Sequence, residues 1–202
     1  MTTRRLAVVS AGLSQPSSTR LLADRLADAT VRALAADGVE TEVTVIELRE
    51  HAHAITDNLL TGFPGTALRA AIEAVTSADG LIAVTPIFTA SYSGLFKSFI
   101  DVLDTSALTD LPVLLGATGG TPRHSLAVDY AMRPLFSYLH ARPLSTSVFA
   151  ASEDWGSVAT ELPDRIERAA GELAVEMARG SRTVNDPWAL GQSFEALLGN
   201  LK

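Results

Sequence analysis

The sequence predicts a three-layer α/β sandwich on a five-stranded parallel sheet, and three observations carry that prediction. Short apolar runs recur at Leu6–Val9, Leu81–Val84 and Val113–Ala117, of the kind that forms strands buried on both faces. Each run passes into a loop of small, mostly uncharged residues. An amphipathic helical pattern follows each loop, so strands and helices alternate along the whole chain.

Taken in order, Leu6 to Val9 is strand one. Its loop, Ser10 to Thr19, enters helix one, where Leu21, Leu22, Leu26, Ala29 and Ala33 share a face and Gly38 is the stop. Val43 to Leu48 alternates weakly and gives strand two. Residues 49–63 show no clear period and read as a surface loop. Helix two runs from about Thr66 to Ala78, carrying Leu68, Ala71, Ile72 and Val75. Strand three is Leu81 to Val84, ended by Pro86, which cannot donate to a sheet ladder. Ile87 to Ser93 is an uncharged loop, and Gly94 opens a helix with Leu95, Phe96, Phe99, Ile100 and Leu103 at helical spacing. Strand four, Val113 to Ala117, ends in Thr118-Gly119-Gly120. A long helix spans about His124 to His140, strand five is short near Ser147-Val148, and a core helix covers Pro163 to Arg179. The domain is therefore residues 1–181, and residues 182–202 form a separate tail. In that tail Asn185-Asp186-Pro187 signals a helix start, and Trp188, Phe194, Leu197, Leu198 and Leu201 make an apolar stripe that either covers the chain's own core or, the preferred reading, reaches a neighbouring subunit as an oligomer arm.

Composition narrows the function classes. At 202 residues, 47% hydrophobic and 19% charged, the chain fits one globular domain with a sizeable core. It has no cysteine, which removes disulfides, thiolate chemistry and Cys-ligated metals and fits a cytoplasmic protein. A net charge of −7 argues against nucleic acid or an anionic membrane as partner. Arg4-Arg5 before Leu6-Ala7-Val8-Val9 imitates a secretion signal, but the apolar run is too short and Ser10 interrupts it. No stretch reaches the roughly 20 apolar residues that span a bilayer.

Three loops concentrate the candidate chemistry. The first carries Ser10, Ser14, Ser17 and Ser18, with Thr19 at the helix start; free helix amides flanked by hydroxyls suit a phosphate. Gly12 is its only glycine, so it is neither a dinucleotide fingerprint nor a Walker loop, and serines also cap helices structurally. Arg20 beside it could help neutralise a phosphate, but a solvated arginine is the preferred reading. Pro86, Ile87, Phe88, Thr89, Ala90 and Ser91 form an uncharged cradle at the carboxyl end of strand three, where open α/β sheets bind ligands. After strand four, Gly119 and Gly120 permit positive φ and close backbone approach to a ligand. A phosphate loop plus two ring-cradling loops at one sheet edge is a flavin mononucleotide (FMN) arrangement in the flavodoxin-like strand order 2-1-3-4-5. His51, His53 and Asp57 lack a further strong ligand nearby, and no metal site is expected.

The segments SxxLxxPSST, TPIFTASYSGLFKSFID and ATGGTPRHSLAVDYAMRPLF resemble the NADPH-dependent FMN reductases. They are most similar to those serving two-component flavin monooxygenases, with alkanesulfonate-type or luciferase-like partners. The similarity runs from strand one to about His140. It implies that Ser10, Ser17, Ser18 and Thr19 hold the FMN phosphate. It also implies that Pro86 to Ser91 cradle the isoalloxazine edge, with Thr118, Gly119 and Gly120 on the other side. Phe88 and Thr89 stand where relatives commonly have Tyr and Lys, so contacts there are expected from backbone. Lys97 and Asp101 match a pair that ties subunits together in the family, although i,i+4 spacing equally allows an exposed intrahelical pair. His124 matches a family histidine, and Asp129 and Arg133 read as structural. Tyr130 matches the position of a one-residue helix bulge, a feature that collects at functional sites.

The resemblance implies an NAD(P)H:FMN oxidoreductase using FMN and NADPH (or NADH). It would act as a homodimer or homotetramer that passes reduced flavin to a monooxygenase. Hydride would go directly from nicotinamide to flavin, so no catalytic acid, base or nucleophile is expected. An FMN-containing quinone or azo reductase, a flavodoxin-type carrier and a phosphate-binding domain with a vestigial crevice remain open on the sequence. The carrier reading wants aromatic flanks and a T-x-T-G-x-T loop, and this chain offers only Phe88 and Tyr92 near the cradle.

Overall fold

The computed structural model describes residues 3–156 and 161–180. The tail 182–202, with the helix expected after Asn185, lies outside the described residues. The elements run β1 (Thr3–Ser10), α1 (Ser18–Ala36), β2 (Glu40–Glu47), α2 (Ala52–Thr61), α3 (Thr66–Thr76), β3 (Gly80–Phe88), β4 (Ser91–Tyr92) and α4 (Gly94–Asp101). They continue with β5 (Pro112–Gly119), α5 (Arg133–Tyr138), β6 (Arg142–Pro143), β7 (Val148–Ala151) and α6 (Leu162–Arg179).

Alternation along the strands creates the layers. Ala7, Val9, Leu81, Ala83, Val113 and Leu115 face one core with Ile55, Leu68, Ile72, Phe96 and Phe136 from α2 to α5. Their neighbours Leu6, Val8, Ile82, Val84 and Leu114 face the other core with Leu22 and Leu26 of α1 and Ile166 and Leu173 of α6. A two-residue repeat sends successive side chains to opposite faces, so continuous apolar strands need helices on both sides. The sheet runs β2-β1-β3-β5-β6, with β7 also on β5. These pairings are parallel. Because β6 and β7 follow one another along β5, they act as two pieces of one strand, and the order is the flavodoxin-like 2-1-3-4-5.

Several expectations are corrected. The sheet has seven strand segments instead of five. One addition is the short β4; the other comes from the split fifth strand, whose first piece ends at Pro143 and whose second starts at Val148, one residue past Ser147. Pro86 does not end β3: it lies across from Thr118 in the ladder, and the strand continues to Phe88. Sides alternate along a parallel strand, and the Val84 carbonyl faces β1, accepting from Ala11 N–H at 2.9 Å. Pro86, two residues on, turns its missing N–H the same way, beyond β1's last rung at Ser10, so no ladder bond is lost.

Residues 49–63 are not a loop. Leu48–His51 is a 3₁₀ turn and α2 follows. Only Ile55 and Asn58 of α2 are buried, too few to print a helical period in the sequence. On helix one, Leu21 belongs to the exposed face and Leu34 to the buried one.

The long helix expected from His124 to His140 is also broken. Pro122–His124 is a 3₁₀ turn, Val128–Met132 is a π-helical turn containing Tyr130, and regular helix resumes at Arg133. Pro134 supplies the reason, since it cannot donate to the Tyr130 carbonyl and its ring crowds that turn. The wider turn accommodates it, with Arg133 N–H bonding to the Val128 carbonyl.

Candidate active site

The three loops read from the sequence meet at the carboxyl edge of the sheet. β1 ends at Ser10, which lies beside Val84 of β3, and Val84 in turn lies beside Gly116 of β5. The first loop, the β3–β4 hairpin and the end of β5 therefore leave adjacent strands at the same end. This includes the β1/β3 gap where chain connections depart in opposite directions, the usual ligand crevice of such sheets.

The first loop folds tightly onto α1. Ser17 is the N-cap, its Oγ accepting from Arg20 N–H at 3.2 Å. Gly12 sits so close that a Cβ there would collide with the Ser17 hydroxyl, so this glycine is required by packing. Ser18 is exposed, and its amide and that of Thr19 open the helix with no partner from within it. Ser10 and Thr19 are buried. The Thr19 hydroxyl is bound to Thr118 Oγ1 at 2.8 Å, which takes up part of its hydrogen-bonding capacity and leaves the backbone amide of Thr19 for a ligand.

Arg20 is not solvated as expected. It pairs with Asp24 at 2.7 Å and Glu47 at 2.5 Å. The Asp24 hydrogen bond, with both carboxylates' charges, outweighs burial and holds the guanidinium above its ordinary value. Its charge is thus committed to neighbouring acids.

The expected cradle at Pro86 to Ser91 is a hairpin. Ile87 faces Tyr92 and Phe88 faces Ser91 in antiparallel pairs, with Thr89 and Ala90 at the tip. Both tip residues adopt left-handed conformations, at φ 49° and 67°. These signs match a two-residue I′ hairpin turn, where Asn-Gly is preferred and a β-branched Thr is strained. Strain of this kind concentrates where a surrounding structure over-determines the backbone. Here buried Thr85 closes the base, its Oγ1 accepting from Ser93 N–H at 3.0 Å and donating to the Pro86 carbonyl. Ser93 then caps α4 by accepting from Phe96 N–H at 3.2 Å. Sequence reasoning missed the roles of Thr85 and Ser93, although two hydroxyls flanking an uncharged hairpin were a usable signal.

Gly119 and Gly120 correct another expectation, because neither has positive φ. Close approach does apply to Gly119, where a Cβ would lie 2.9 Å from the Phe149 ring. Beyond them Arg123, His124 and Tyr130 are exposed. Asp129 bonds Arg133 at 3.0 Å, and Arg133 also donates to the Leu144 carbonyl at 2.6 Å, both structural. Lys97 and Asp101 form an exposed intrahelical pair at 2.5 Å. His51, His53 and Asp57 stand on or beside α2.

The side chains offered by the crevice loops are neutral hydroxyls and apolar groups, joined by backbone amides. Such a set can hold a phosphate at the α1 amino terminus and a planar, hydrogen-bonding ring against the hairpin.

Comparison with known proteins agrees with this chemistry. Residues 4–156 match the sequence family described as NADPH-dependent FMN reductase. An FMN reductase (NADPH) of Pseudomonas aeruginosa is 36% identical over 173 residues, covering 84% of this chain and 90% of the relative. The NADH-dependent FMN reductase SfnE of Pseudomonas putida is 36% identical over 172 residues, covering 84% and 89%. Among solved structures, an oxidoreductase from Corynebacterium diphtheriae superposes with a TM-score of 0.87 at 47% identity, covering 90% of this chain and all (100%) of that one.

Proposed function

The chain belongs to the NADPH-dependent FMN reductase family, and we propose that it performs the family's reaction in the crevice at the carboxyl edge of its sheet. The protein is an NAD(P)H-dependent FMN reductase. The site residues are those the resemblance implies, and the geometry above supports them. The amides of Ser18 and Thr19, with the Ser10, Ser17 and Ser18 hydroxyls around them, hold the FMN phosphate. Pro86, Ile87, Phe88, Thr89, Ala90 and Ser91 of the hairpin line one edge of the isoalloxazine, and Thr118, Gly119 and Gly120 line the other.

FMN, when bound, supplies the hydride acceptor. The protein's part is to position two rings about 3 to 3.5 Å apart and exclude water between them. That task needs no acid or base, in keeping with the neutral crevice, which is the observation that carries the reading. Phe88 is 48% exposed at the hairpin's outer end, so its ring is free to cover one flavin face only. With the other face open, FMN binds weakly enough to exchange, near micromolar or about −8 kcal/mol.

Reduced FMN leaving such a site suits a flavin-dependent monooxygenase as its consumer, and a nicotinamide-fed reaction suits the cytoplasm. No helix among the described residues is long and apolar enough to cross a membrane. Lys97 and Asp101 reach across a homodimer or homotetramer interface in this reading, exchanging the intrahelical pairing for an intersubunit one. Lys97→Glu should then shift elution toward smaller assemblies, whereas unchanged elution leaves the pair a surface contact.

The deciding assay is NADPH oxidation with and without added FMN. Nearly colourless purified protein whose activity saturates with FMN is the expected outcome. Protein that keeps stoichiometric FMN through dialysis and reduces quinones without added flavin would overturn it for a prosthetic-flavin reductase.

A further inference from the structure

A second depression lies just outside the crevice, between the hairpin tip and the π-helical turn. It is a cavity of about 350 Å³ lined by Ala90, Arg123, His124, Leu126, Ala127 and Tyr130 among others. Neither family resemblance nor the ring-cradling loops account for Arg123.

Arg123 differs from most of the described arginines in its partners. The chain carries −7, and described arginines such as Arg20, Arg32, Arg49, Arg133 and Arg142 are bound to carboxylates. Arg123 forms no ion pair or side-chain hydrogen bond among the described residues, although it sits on the protein surface. Asp129, the nearest acid in sequence, is turned onto Arg133 at 3.0 Å. The cavity thus presents a guanidinium and an imidazole with no acid lining it. Beside these two groups, Tyr130 is 79% and Leu126 62% exposed, apolar surface of the kind on which a base stacks.

We propose that this cavity binds the adenosine 2′-phosphate of NADPH. The Arg123 guanidinium takes the phosphate, His124 adds a donor, and Tyr130 with Leu126 supports the adenine. The inference rests on the reading that a nicotinamide nucleotide reaches flavin at this edge. A phosphomonoester is dianionic and matches the fork of an arginine in charge and in geometry. NADH differs from NADPH only in lacking that phosphate, so Arg123 sets the preference between them. Oxidised flavin carries no charge on its ring system and gives no reason for an unpaired guanidinium here, whereas the 2′-phosphate does.

The test uses adenosine 2′,5′-bisphosphate and 5′-AMP as calorimetric probes of the whole protein, alongside steady-state kinetics at saturating FMN. Wild type should bind the bisphosphate about tenfold or more tightly than AMP. In Arg123→Ala that ratio should collapse toward one, and Arg123→Lys should recover part of it. The same Ala variant should lower the kcat/KM ratio for NADPH over NADH about tenfold. Unchanged ratios, or equal losses with both nucleotides, would overturn the assignment. Because Arg123 is exposed, an unaltered melting curve separates lost recognition from lost folding. If wild type oxidises neither nucleotide in the presence of FMN, the reductase reading itself fails. The phosphate assignment is then judged on the calorimetric ratio alone.

Discussion

Thr19 and Thr118 share a buried hydrogen bond of 2.8 Å across 99 positions of sequence, tying the first turn of α1 to the last residues of β5. It fixes the phosphate loop relative to the strand end that carries Gly119 and Gly120. Replacing either threonine by valine orphans the other hydroxyl in the core, at a cost of about 1 to 3 kcal/mol. Replacing both removes donor and acceptor together and should cost clearly less than the sum. Urea denaturation of the two single variants and the double variant measures this coupling. Strict additivity would mean that the two hydroxyls act independently.

Removing the Ser17 and Ser18 hydroxyls together should weaken FMN binding by about 1 to 3 kcal/mol, through lost charge-assisted hydrogen bonds. Riboflavin, which has no phosphate, should bind variant and wild type alike. Ser17→Ala also loses the α1 cap, costing about 1 kcal/mol of stability, whereas exposed Ser18 does not cap. Titrations must therefore run well below the melting temperature. Equal FMN affinity in variant and wild type would remove the phosphate from this loop.

The hairpin tip gives a stability prediction of opposite sign. Thr89 and Ala90 hold φ values of 49° and 67°, which side chains with a Cβ resist by about 1 to 2 kcal/mol each. Thr89→Asn with Ala90→Gly restores the preferred turn pair and should raise stability by about 1 kcal/mol after the entropic cost of glycine. A lower denaturation midpoint in the double variant would show that the native tip is not strained.

A pH prediction follows from Glu172 on α6. Burial pushes its carboxyl upward, but hydrogen bonds from Thr146 Oγ1 at 2.5 Å and Thr146 N–H at 2.9 Å, together with Arg168, outweigh this and hold it below the ordinary value. A depressed folded-state value stabilises the protein above the unfolded-state pKa of about 4.3, and that gain is lost as pH falls through the folded value. Glu172→Gln should therefore melt lower than wild type near pH 7, with the gap narrowing on acidification. A gap of constant size from neutral pH to about pH 3 would contradict the assignment.

The fold class was legible because burial on both faces leaves Leu6–Val9, Leu81–Val84 and Val113–Ala117 as unbroken apolar runs, a local property of the chain. The crevice was legible for a related reason. A parallel sheet sends the loops after these strands to one edge, so finding the strands locates the loops. Elements with thin cores were not legible: α2 buries Ile55 and Asn58 alone, and its sequence carries no helical period.

Sequence by itself thus determined the alternation of layers, the strand order and the neutral loops that meet at the carboxyl edge. Tertiary structure decided how individual side chains are spent. Thr19 Oγ1 belongs to Thr118, Arg20 belongs to Asp24 and Glu47, and Asp129 belongs to Arg133, which leaves Arg123 and its cavity without an acid. The physical reason is range. Hydrophobic period and turn chemistry act between near neighbours in the chain. Whether a hydroxyl or a charge stays available to a ligand depends on partners brought close by folding, and the Thr19–Thr118 bond is read only in three dimensions.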